Sequence, residues 1–277
     1  MFVRCEILGV FLSLLSFSLT APIHWAAYYA ADGPVAPLAA FDLLVFDGDR
    51  HPPLSPLVDR GKTVIGYLSV GEVENTRAHF ADVKNEGILL HENENWKGSY
   101  LVDVRDPRWS KRIVEQLVPE MLRRGFHGIF LDTVDNAPHL ERTDPRRFRG
   151  MTDAMANLIR TIRLHYPQTK LIMNRGFEIL PQVEQHIDMV LAESIFADYD
   201  FATRTYKLVP QNQYQGLVKV LQTAKQRRPQ LTVLTLDYWN PDDAAGITRI
   251  YSAQRANGFH PYVATVELDR IIEEPKR

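Results

Sequence analysis

The sequence predicts an α/β fold, a (β/α)8 or TIM barrel, in a single domain that follows an N-terminal segment. Two observations support this class: short apolar runs recur along the chain, and amphipathic stretches separate them. The runs are continuous rather than alternating, which is typical of strands covered on both faces, as in parallel sheets. Eight strands alternating with helices within 277 residues fit one such barrel. The eight runs are 25–30, 41–47, 63–70, 128–132, 170–174, 188–193, 231–238 and 261–266.

The amphipathic stretches predict helices over 109–125, 144–167, 215–229 and 240–258. The first has its apolar residues on one helical face, and Gly125 is suited to end it. Pro119 inside this stretch predicts a kink. The connection after the first strand is short and rich in proline, so its helix is predicted to shrink to a turn. A ninth strand-like piece, residues 100–104, is predicted to belong to an extended loop after the third strand.

Composition and charge exclude several classes of protein. The net charge of −2 provides no basic surface for nucleic acid, and Cys5 is the only cysteine. The chain after residue 21 therefore has no disulfide and no thiolate metal site. The histidines lack HxH or HxxxH spacing, and the chain has no P-loop, no GxGxxG after a strand and no GxSxG. We therefore predict neither a metal site nor a cofactor.

The N-terminal residues 1–21 predict a secretory signal. Arg4 precedes an apolar run over 7–19, which is shorter than the roughly 20 residues of a membrane span. Ala21 suits the position before a cleavage site, but Leu19 is large and Pro22 follows directly. An uncleaved membrane anchor is therefore the alternative. The barrel domain is assigned to residues 24–277, and the protein is predicted to be secreted or periplasmic.

Acidic residues recur at the predicted carboxyl ends of the strands, where barrels of this class carry their chemistry. Asp132 and Glu193 directly follow apolar runs, so each is expected to be partly buried and hydrogen-bonded, paired or shifted in pKa. They end alternate strands and can share one layer of the barrel. Two carboxylates facing one pocket are what glycoside cleavage requires. For Asp49, Glu74 and Asp135, a helix cap or a solvated loop is an equal alternative.

Polar and aromatic residues near the same ends are candidate substrate contacts. Flat rings stack on the apolar faces of sugars, and Trp96 and Trp239 lie in predicted loops suited to this role. For Tyr67, packing in the core is an equal alternative. The full set of predicted substrate-binding residues is Asp47, Tyr67, Glu72, Asp135, Asn174, Arg175, Asp237, Tyr238 and Trp239.

Six stretches carry a resemblance to a known family. They are YLSVGEVE (67–74), WKGSYLVDVRDPRW (96–109), GFHGIFLDTVDN (125–136), MNRGFEIL (173–180), LAESIF (191–196) and LDYW (236–239). In this order they resemble the barrel domain of glycoside hydrolase family 114, whose described activity is endo-α-1,4-polygalactosaminidase. A related domain occurs in proteins of Pel polysaccharide production. The resemblance implies that Asp132 and Glu193 are the catalytic pair, with Asp132 as nucleophile and Glu193 as general acid and then base. The loop over 75–87 departs from the family, with fewer aromatic and acidic residues.

The expected function is therefore a secreted glycoside hydrolase that cleaves α-1,4-linked, galactosamine-containing polysaccharide with two carboxylates. Amino sugars are cationic, and a rim of acids would attract them. Hydrogen bonds from Asn174, Arg175 or Tyr67 are expected to keep Asp132 ionised. Two alternatives remain open: a non-catalytic carbohydrate-binding barrel, and a glycosidase of the same fold that acts on another α-linked sugar.

Overall fold

A computed structural model describes residues 22–276 of the protein. Eight parallel strands form one sheet in which each strand pairs with its neighbours in chain order, and this confirms the predicted (β/α)8 barrel. Every barrel strand overlaps one of the eight predicted runs. With all strands numbered along the chain, the barrel strands are β1 (Trp25–Tyr28), β2 (Leu43–Asp47), β3 (Thr63–Ser69), β7 (Gly128–Asp132), β8 (Lys170–Asn174), β9 (Met189–Glu193), β12 (Thr232–Tyr238) and β13 (His260–Ala264).

Side chains join the last barrel strand to the first. The Trp25 indole nitrogen donates to the backbone oxygen of His260 at 2.8 Å. The rings of Trp25 and Tyr262 pack with centroids 5.6 Å apart, and both residues are buried. The edges of β1 and β13 are therefore covered by each other rather than left open to another chain.

Helices connect most of the strands, and the first two are single turns, as predicted for the proline-rich connection after β1. A kink was predicted near Pro119; the structure has a wider π-helical turn, Ile113–Leu117, just before it, between two α-helical pieces. Pro119 has no N–H to donate backwards, and a π turn accommodates this loss. The helices are α1 (Val35–Leu38), α2 (Ser55–Val58), α3 (Phe80–Asn85), α4 (Pro107–Arg112), α5 (Val118–Arg123), α6 (Asn136–Thr143), α7 (Met151–His165), α8 (Leu180–Val183), α9 (Gln211–Arg227) and α10 (Ala244–Ala256).

Two small antiparallel sheets stand on the carboxyl-end rim of the barrel. The first follows β3 and consists of β4 (Glu72–Glu74), β5 (Leu89–Glu92) and β6 (Ser99–Val102), in the order β4-β6-β5. We call it the rim sheet. β6 overlaps the strand-like piece that the sequence assigned to an extended loop. The second, which we call the rim hairpin, follows β9 and pairs β10 (Ala197–Asp200) with β11 (Thr205–Leu208). The sequence did not predict this hairpin.

The predicted signal or anchor over residues 1–21 lies outside the described residues. Between residues 22 and 276, no helix is both long and apolar enough to cross a membrane.

Candidate active site

Asn174 brings the two predicted catalytic carboxylates together. Its amide nitrogen donates to Asp132 Oδ1 at 2.8 Å and to Glu193 Oε2 at 2.7 Å. These two oxygens can therefore be no further apart than the sum of the two distances, 5.5 Å. The three residues are the last of β7, β8 and β9, so neighbouring parallel strands present them at one level of the barrel.

The backbone turns sharply immediately after each of these three residues. Thr133, Arg175 and Ser194 have φ angles of 59°, 52° and 54°, in the left-handed region that residues other than glycine seldom adopt. The Thr133 hydroxyl is held by the backbone N–H of Gly71 and by the Ser69 hydroxyl, both at 2.8 Å. Such strain persists where surrounding contacts over-determine it, and it clusters at functional sites.

Tyrosine side chains surround the carboxylate pair. The Tyr238 hydroxyl donates to Glu193 Oε1 at 2.6 Å. The Tyr67 side chain acts to lower the pKa of Asp132, and the Tyr67 ring packs edge-on against Tyr29 at 5.4 Å. Burial, followed by the charges of Asp132 and Glu193, raises the pKa of Tyr29 well above its ordinary value. Tyr29 was not among the predicted contacts, although its position at the end of the first run was a signal for it.

Burial, together with the charge of Glu193, raises the pKa of Asp132 from 3.8 to about 6. The side chains of Asn174 and Tyr67 act in the opposite direction, as the sequence predicted, but they do not outweigh the first two causes. Arg175, the third expected donor, is directed elsewhere. The Asp132 carboxyl therefore retains a proton more readily than an isolated aspartate does.

Asp47 is neutralised by a residue that the sequence analysis missed. Arg77 donates to both oxygens of Asp47, at 3.1 and 2.8 Å, and to Asp49 at 2.9 Å. Burial alone would raise the pKa of Asp47, but these bonds and the charge of Arg77 lower it overall. The Arg77 guanidinium also lies 5.9 Å from the centre of the Tyr67 ring. Asp47 therefore acts with Arg77 as an ion pair at the side of the site.

Asp135 and Arg175 form a second ion pair, with Arg175 Nε 3.2 Å from Asp135 Oδ2. Both side chains are about two-fifths exposed, so the pair itself contributes little to stability. Arg175 also donates to the backbone oxygen of Glu193 at 2.9 Å. The pair thus lies at the rim beside Glu193, while Arg175 supports the strand end that presents Glu193.

Glu72 is buried, and neutral donors satisfy its carboxylate. Ser99, Asn93 and Asn136 donate to it at 2.5, 2.8 and 2.6 Å. These bonds tie the rim sheet to the loop after β7, so the carboxylate has a clear structural role. Between residues 22 and 276 no ion pair joins Glu72 to a cation, so neutral side chains alone hold its carboxylate.

Asp237 does not line the pocket, which corrects its prediction as a substrate contact. The residue is 0% exposed. Its Oδ1 accepts from the backbone N–H groups of Phe196 and Ala197 at 2.8 and 2.9 Å, and its Oδ2 accepts from Gln254 at 2.6 Å. Burial raises the pKa of Asp237 to about 6 despite these bonds. Asp237 therefore anchors the base of the rim hairpin instead of meeting a ligand.

Trp239, the last of the predicted contacts, is at the rim and partly exposed. Its indole nitrogen donates to Asp243 at 2.9 Å, which fixes the orientation of the ring. Of the acids expected to form a charged rim, Asp47 and Asp135 are paired with arginines and Asp237 is turned away. Of the predicted acids outside the catalytic pair, Glu72 is therefore the one that neither pairs with an arginine nor turns away. Among the residues described, no group of three His, Cys, Asp or Glu side chains could hold a metal ion.

A (β/α)8 barrel with two facing carboxylates at the carboxyl ends of its strands is an architecture that glycoside hydrolases use. Comparison with known families agrees with this class. The sequence model of glycoside-hydrolase family GH114 matches residues 17–277, and the chain belongs to that family. The protein is a glycoside hydrolase, and the resemblance found in the sequence motifs is confirmed.

Solved structures resemble this chain over most of its length. The glycoside hydrolase domain of PelA from Pseudomonas aeruginosa is 29% identical, with a TM-score of 0.79 over 90% of this chain and 97% of that domain. Ega3 from Aspergillus fumigatus, solved in complex with galactosamine, is 15% identical and shares the fold, with a TM-score of 0.67 over 91% and 94%. An uncharacterized protein from Thermotoga maritima is 24% identical over 244 residues, 80% of this chain and 73% of that protein.

Proposed function

We propose that the protein cleaves α-1,4-linked, galactosamine-containing polysaccharide by a two-carboxylate mechanism. The observation that carries this proposal is the Asn174 amide, which holds Asp132 and Glu193 across one pocket. Membership of family GH114 supports the reaction class. The galactosamine bound in Ega3, a protein of the same fold, supports the class of sugar.

In this mechanism Asp132 is the nucleophile and Glu193 is the general acid and then the general base. Asp132 attacks the anomeric carbon, while Glu193 gives its proton to the departing glycosidic oxygen. The bond from sugar to leaving group breaks as the bond from sugar to Asp132 forms. Glu193 then takes a proton from water, and the resulting attack on the anomeric carbon releases Asp132 and the sugar.

The separation of the carboxylates supports retention of configuration. Retaining glycosidases place their carboxyl groups about 5–5.5 Å apart, whereas inverting enzymes leave roughly 6.5–9.5 Å for a water molecule. The upper limit of 5.5 Å between Asp132 Oδ1 and Glu193 Oε2 is shorter than the inverting range and is compatible with the retaining one. This geometry supports a mechanism with a covalent glycosyl intermediate on Asp132.

Charge supports a substrate that carries amino groups. Glu72 and Asp132 contribute negative charge at this end of the barrel, and the nearby Arg77 and Arg175 form their ion pairs with Asp47 and Asp135 instead. A protonated amino sugar would be attracted to such a region, because low-dielectric walls focus the field. A neutral glycan would gain nothing from this field.

Product analysis tests the proposal. The purified protein is incubated with partly deacetylated α-1,4-linked poly-N-acetylgalactosamine. The products are identified by mass spectrometry and by NMR of the new anomeric centre. We expect internal cleavage into amino-sugar oligomers whose new ends keep the α configuration. A fully N-acetylated polymer and a neutral α-1,4-glucan are the matched controls. Cleavage of the glucan with no cleavage of the amino-sugar polymer would contradict the proposed substrate, and β products would contradict retention.

Secretion through residues 1–21 is part of the same proposal. A polysaccharide too large to enter the cell must meet its hydrolase outside the cytoplasm. N-terminal sequencing of the protein recovered from the medium or periplasm of the expressing cells would identify a cut after Ala21. Recovery of the intact chain in the membrane fraction would favour the anchor.

A further inference from the structure

Two exposed aromatic side chains from the rim sheet and the rim hairpin contact each other. Trp96 lies between β5 and β6 of the rim sheet, and Phe201 lies at the tip of the rim hairpin. Their ring centroids are 5.3 Å apart, and the ring planes are nearly perpendicular, at 78°. Each residue is more than half exposed, 55% for Trp96 and 53% for Phe201. We call this contact the aromatic clasp.

These two exposed apolar side chains are adjacent to each other rather than scattered over the surface. Between residues 22 and 276, only five large hydrophobic residues are exposed, and the clasp supplies both of the aromatic ones. Single exposed apolar residues are normal at protein surfaces, but adjacent large ones mark sites that bind a partner. The other three are Leu164, Leu208 and Val220.

The clasp is continuous with the catalytic site through further rings. From Phe201 the contacts run to Tyr199 at 5.3 Å, to Tyr206 at 5.2 Å and to Trp239 at 6.4 Å. Trp239 directly follows Tyr238, whose hydroxyl contacts Glu193. A row of aromatic side chains thus extends from the clasp to the residue beside the general acid.

The topology places the clasp on the carboxyl-end rim, the end of the barrel that carries the catalytic pair. The rim sheet follows β3 and the rim hairpin follows β9, and β7 and β8 lie between these strands in the barrel. The ends of β7 and β8 carry Asp132 and Asn174. A contact between the two loops therefore spans the part of the carboxyl-end rim that lies over β7 and β8.

We propose that the aromatic clasp is a distal sugar subsite, on which Trp96 and Phe201 stack galactosamine units of a polymer held for cleavage between Asp132 and Glu193. This inference rests on the proposed function and adds where the polysaccharide binds beyond the cleavage site. The C–H face of a pyranose matches an aromatic face in shape and polarity. A protonated amino group gains a further cation–π attraction when it lies within about 6 Å of a ring. Because the subsite is remote from the reacting bond, it serves long substrates and not short ones.

Kinetics with long and short substrates test the subsite. Trp96→Ala and Phe201→Ala are each expected to raise KM for the polymer about five- to tenfold, the size expected for one lost aromatic contact. Because this binding is uniform, kcat should stay within about twofold. Hydrolysis of a galactosamine trimer should not change. Trp96→Phe, which keeps a stacking ring, should restore most of the polymer affinity. Leu164→Ala removes a side chain that is 78% exposed on α7, and it is the matched control.

Fluorescence gives a readout that does not depend on turnover. The chain has four tryptophans, and Trp25 and Trp109 are fully buried. In a Glu193→Gln, Trp239→Phe background, emission that responds to added polymer therefore reports on Trp96. We expect a shift with the polymer and none with the trimer.

Three outcomes decide between the possibilities. Unchanged polymer KM in Trp96→Ala and Phe201→Ala, with wild-type activity intact, would overturn the clasp and leave the proposed function standing. An equal loss on trimer and polymer would also overturn it, since it would show that the rings only support the loops. If the wild-type protein cleaves no amino-sugar polymer, the proposed function fails. The fluorescence shift then decides whether the clasp binds the polymer.

Discussion

Asp132 and Asp237 are two carboxyls with the same shifted pKa and opposite surroundings. Burial raises the pKa of each from 3.8 to about 6. Asp132 ends β7 and faces a second carboxylate, Glu193, across the Asn174 amide. Asp237 is in β12 and faces the wall of the barrel, where backbone N–H groups and Gln254 enclose it.

The comparison shows that a raised pKa alone does not identify a catalytic acid. Desolvation is the largest cause for both residues, and it acts wherever a carboxyl is buried. The surroundings make the difference. Asp132 faces a second acid, Glu193, and the two could act together on one bound sugar. Asp237 instead accepts three hydrogen bonds, which hold the backbone that follows Glu193 in position.

The largest expected effect is that of Asp132→Asn on turnover. Loss of the nucleophile should lower kcat on the polymer about a thousandfold or more. The same change should stabilise the fold at pH 7, because it removes a charge that the folded state disfavours. The shift in pKa of about two units corresponds to roughly 3 kcal/mol at most, and partial exposure of the residue reduces this to about 1–2 kcal/mol. Activity assays and urea unfolding at pH 7 measure the two effects.

The size of this stability change depends on pH. The folded-state pKa of Asp132 is raised, so the folded state takes up a proton before the unfolded chain does. The penalty of the ionised group is present above about pH 6 and is relieved as the pH falls towards 3.8. The advantage of Asp132→Asn over the wild type should therefore shrink between pH 7 and pH 4. An advantage that grows over this range would contradict the assigned pKa.

Asp237→Ala should have the second largest effect, and its effect on stability should have the opposite sign. It leaves the N–H groups of Phe196 and Ala197 without their acceptor in a buried position, which costs about 2–4 kcal/mol in free energy of unfolding. Calorimetry should show a lower Tm. Asp237→Asn keeps one acceptor oxygen for both N–H groups and is the control, with a smaller loss expected. Stabilisation by the alanine would show that the burial of charge outweighs the anchoring bonds.

Part of this comparison could be read from the sequence. Asp132 and Glu193 end continuous apolar runs, and such runs locate the carboxyl ends of parallel strands from local pattern alone. Asp237 also ends such a run, but a residue in a strand points to one face or the other. Asp237 points towards Gln254 and the backbone of residues 196–197. These partners are distant in the sequence, so the pattern of residues around Asp237 does not predict them.

The same limit applies to the rim. Arg77 pairs with Asp47, which lies 30 positions earlier in the sequence. The rim hairpin pairs β10 with β11, but neither strand has a strong strand pattern in its sequence. The sequence predicted acids at the strand ends. It did not predict which acids would be neutralised, since that depends on where long arginine side chains reach in three dimensions.

Asn174→Ala tests whether the amide that links the two carboxyls influences the pKa of Asp132. The amide is one of the groups that lower the pKa of Asp132, so its removal should raise that pKa further. We expect kcat to fall about a hundredfold, within the range for a group that acts on a general acid or base. The acid limb of the pH–rate profile should move above pH 6. Asn93→Ala, which removes a donor to Glu72 instead, is the matched control. An acid limb that stays in place would show that Asn174 does not influence the ionisation of Asp132.

Tyr238→Phe should have the smallest effect, and it examines the Glu193 side of the pair. The phenol donates to Glu193 Oε1 at 2.6 Å, so it fixes the rotamer that points the acid at the glycosidic oxygen. Loss of one such bond should lower kcat about tenfold and leave KM almost unchanged. Tyr28→Phe is the control, because the Tyr28 hydroxyl donates to the backbone oxygen of Asp32 and does not contact the carboxylate pair. Equal effects of the two substitutions on kcat would show that the hydrogen bond from Tyr238 to Glu193 does not contribute to catalysis. A change confined to KM would place Tyr238 among the groups that only bind the sugar.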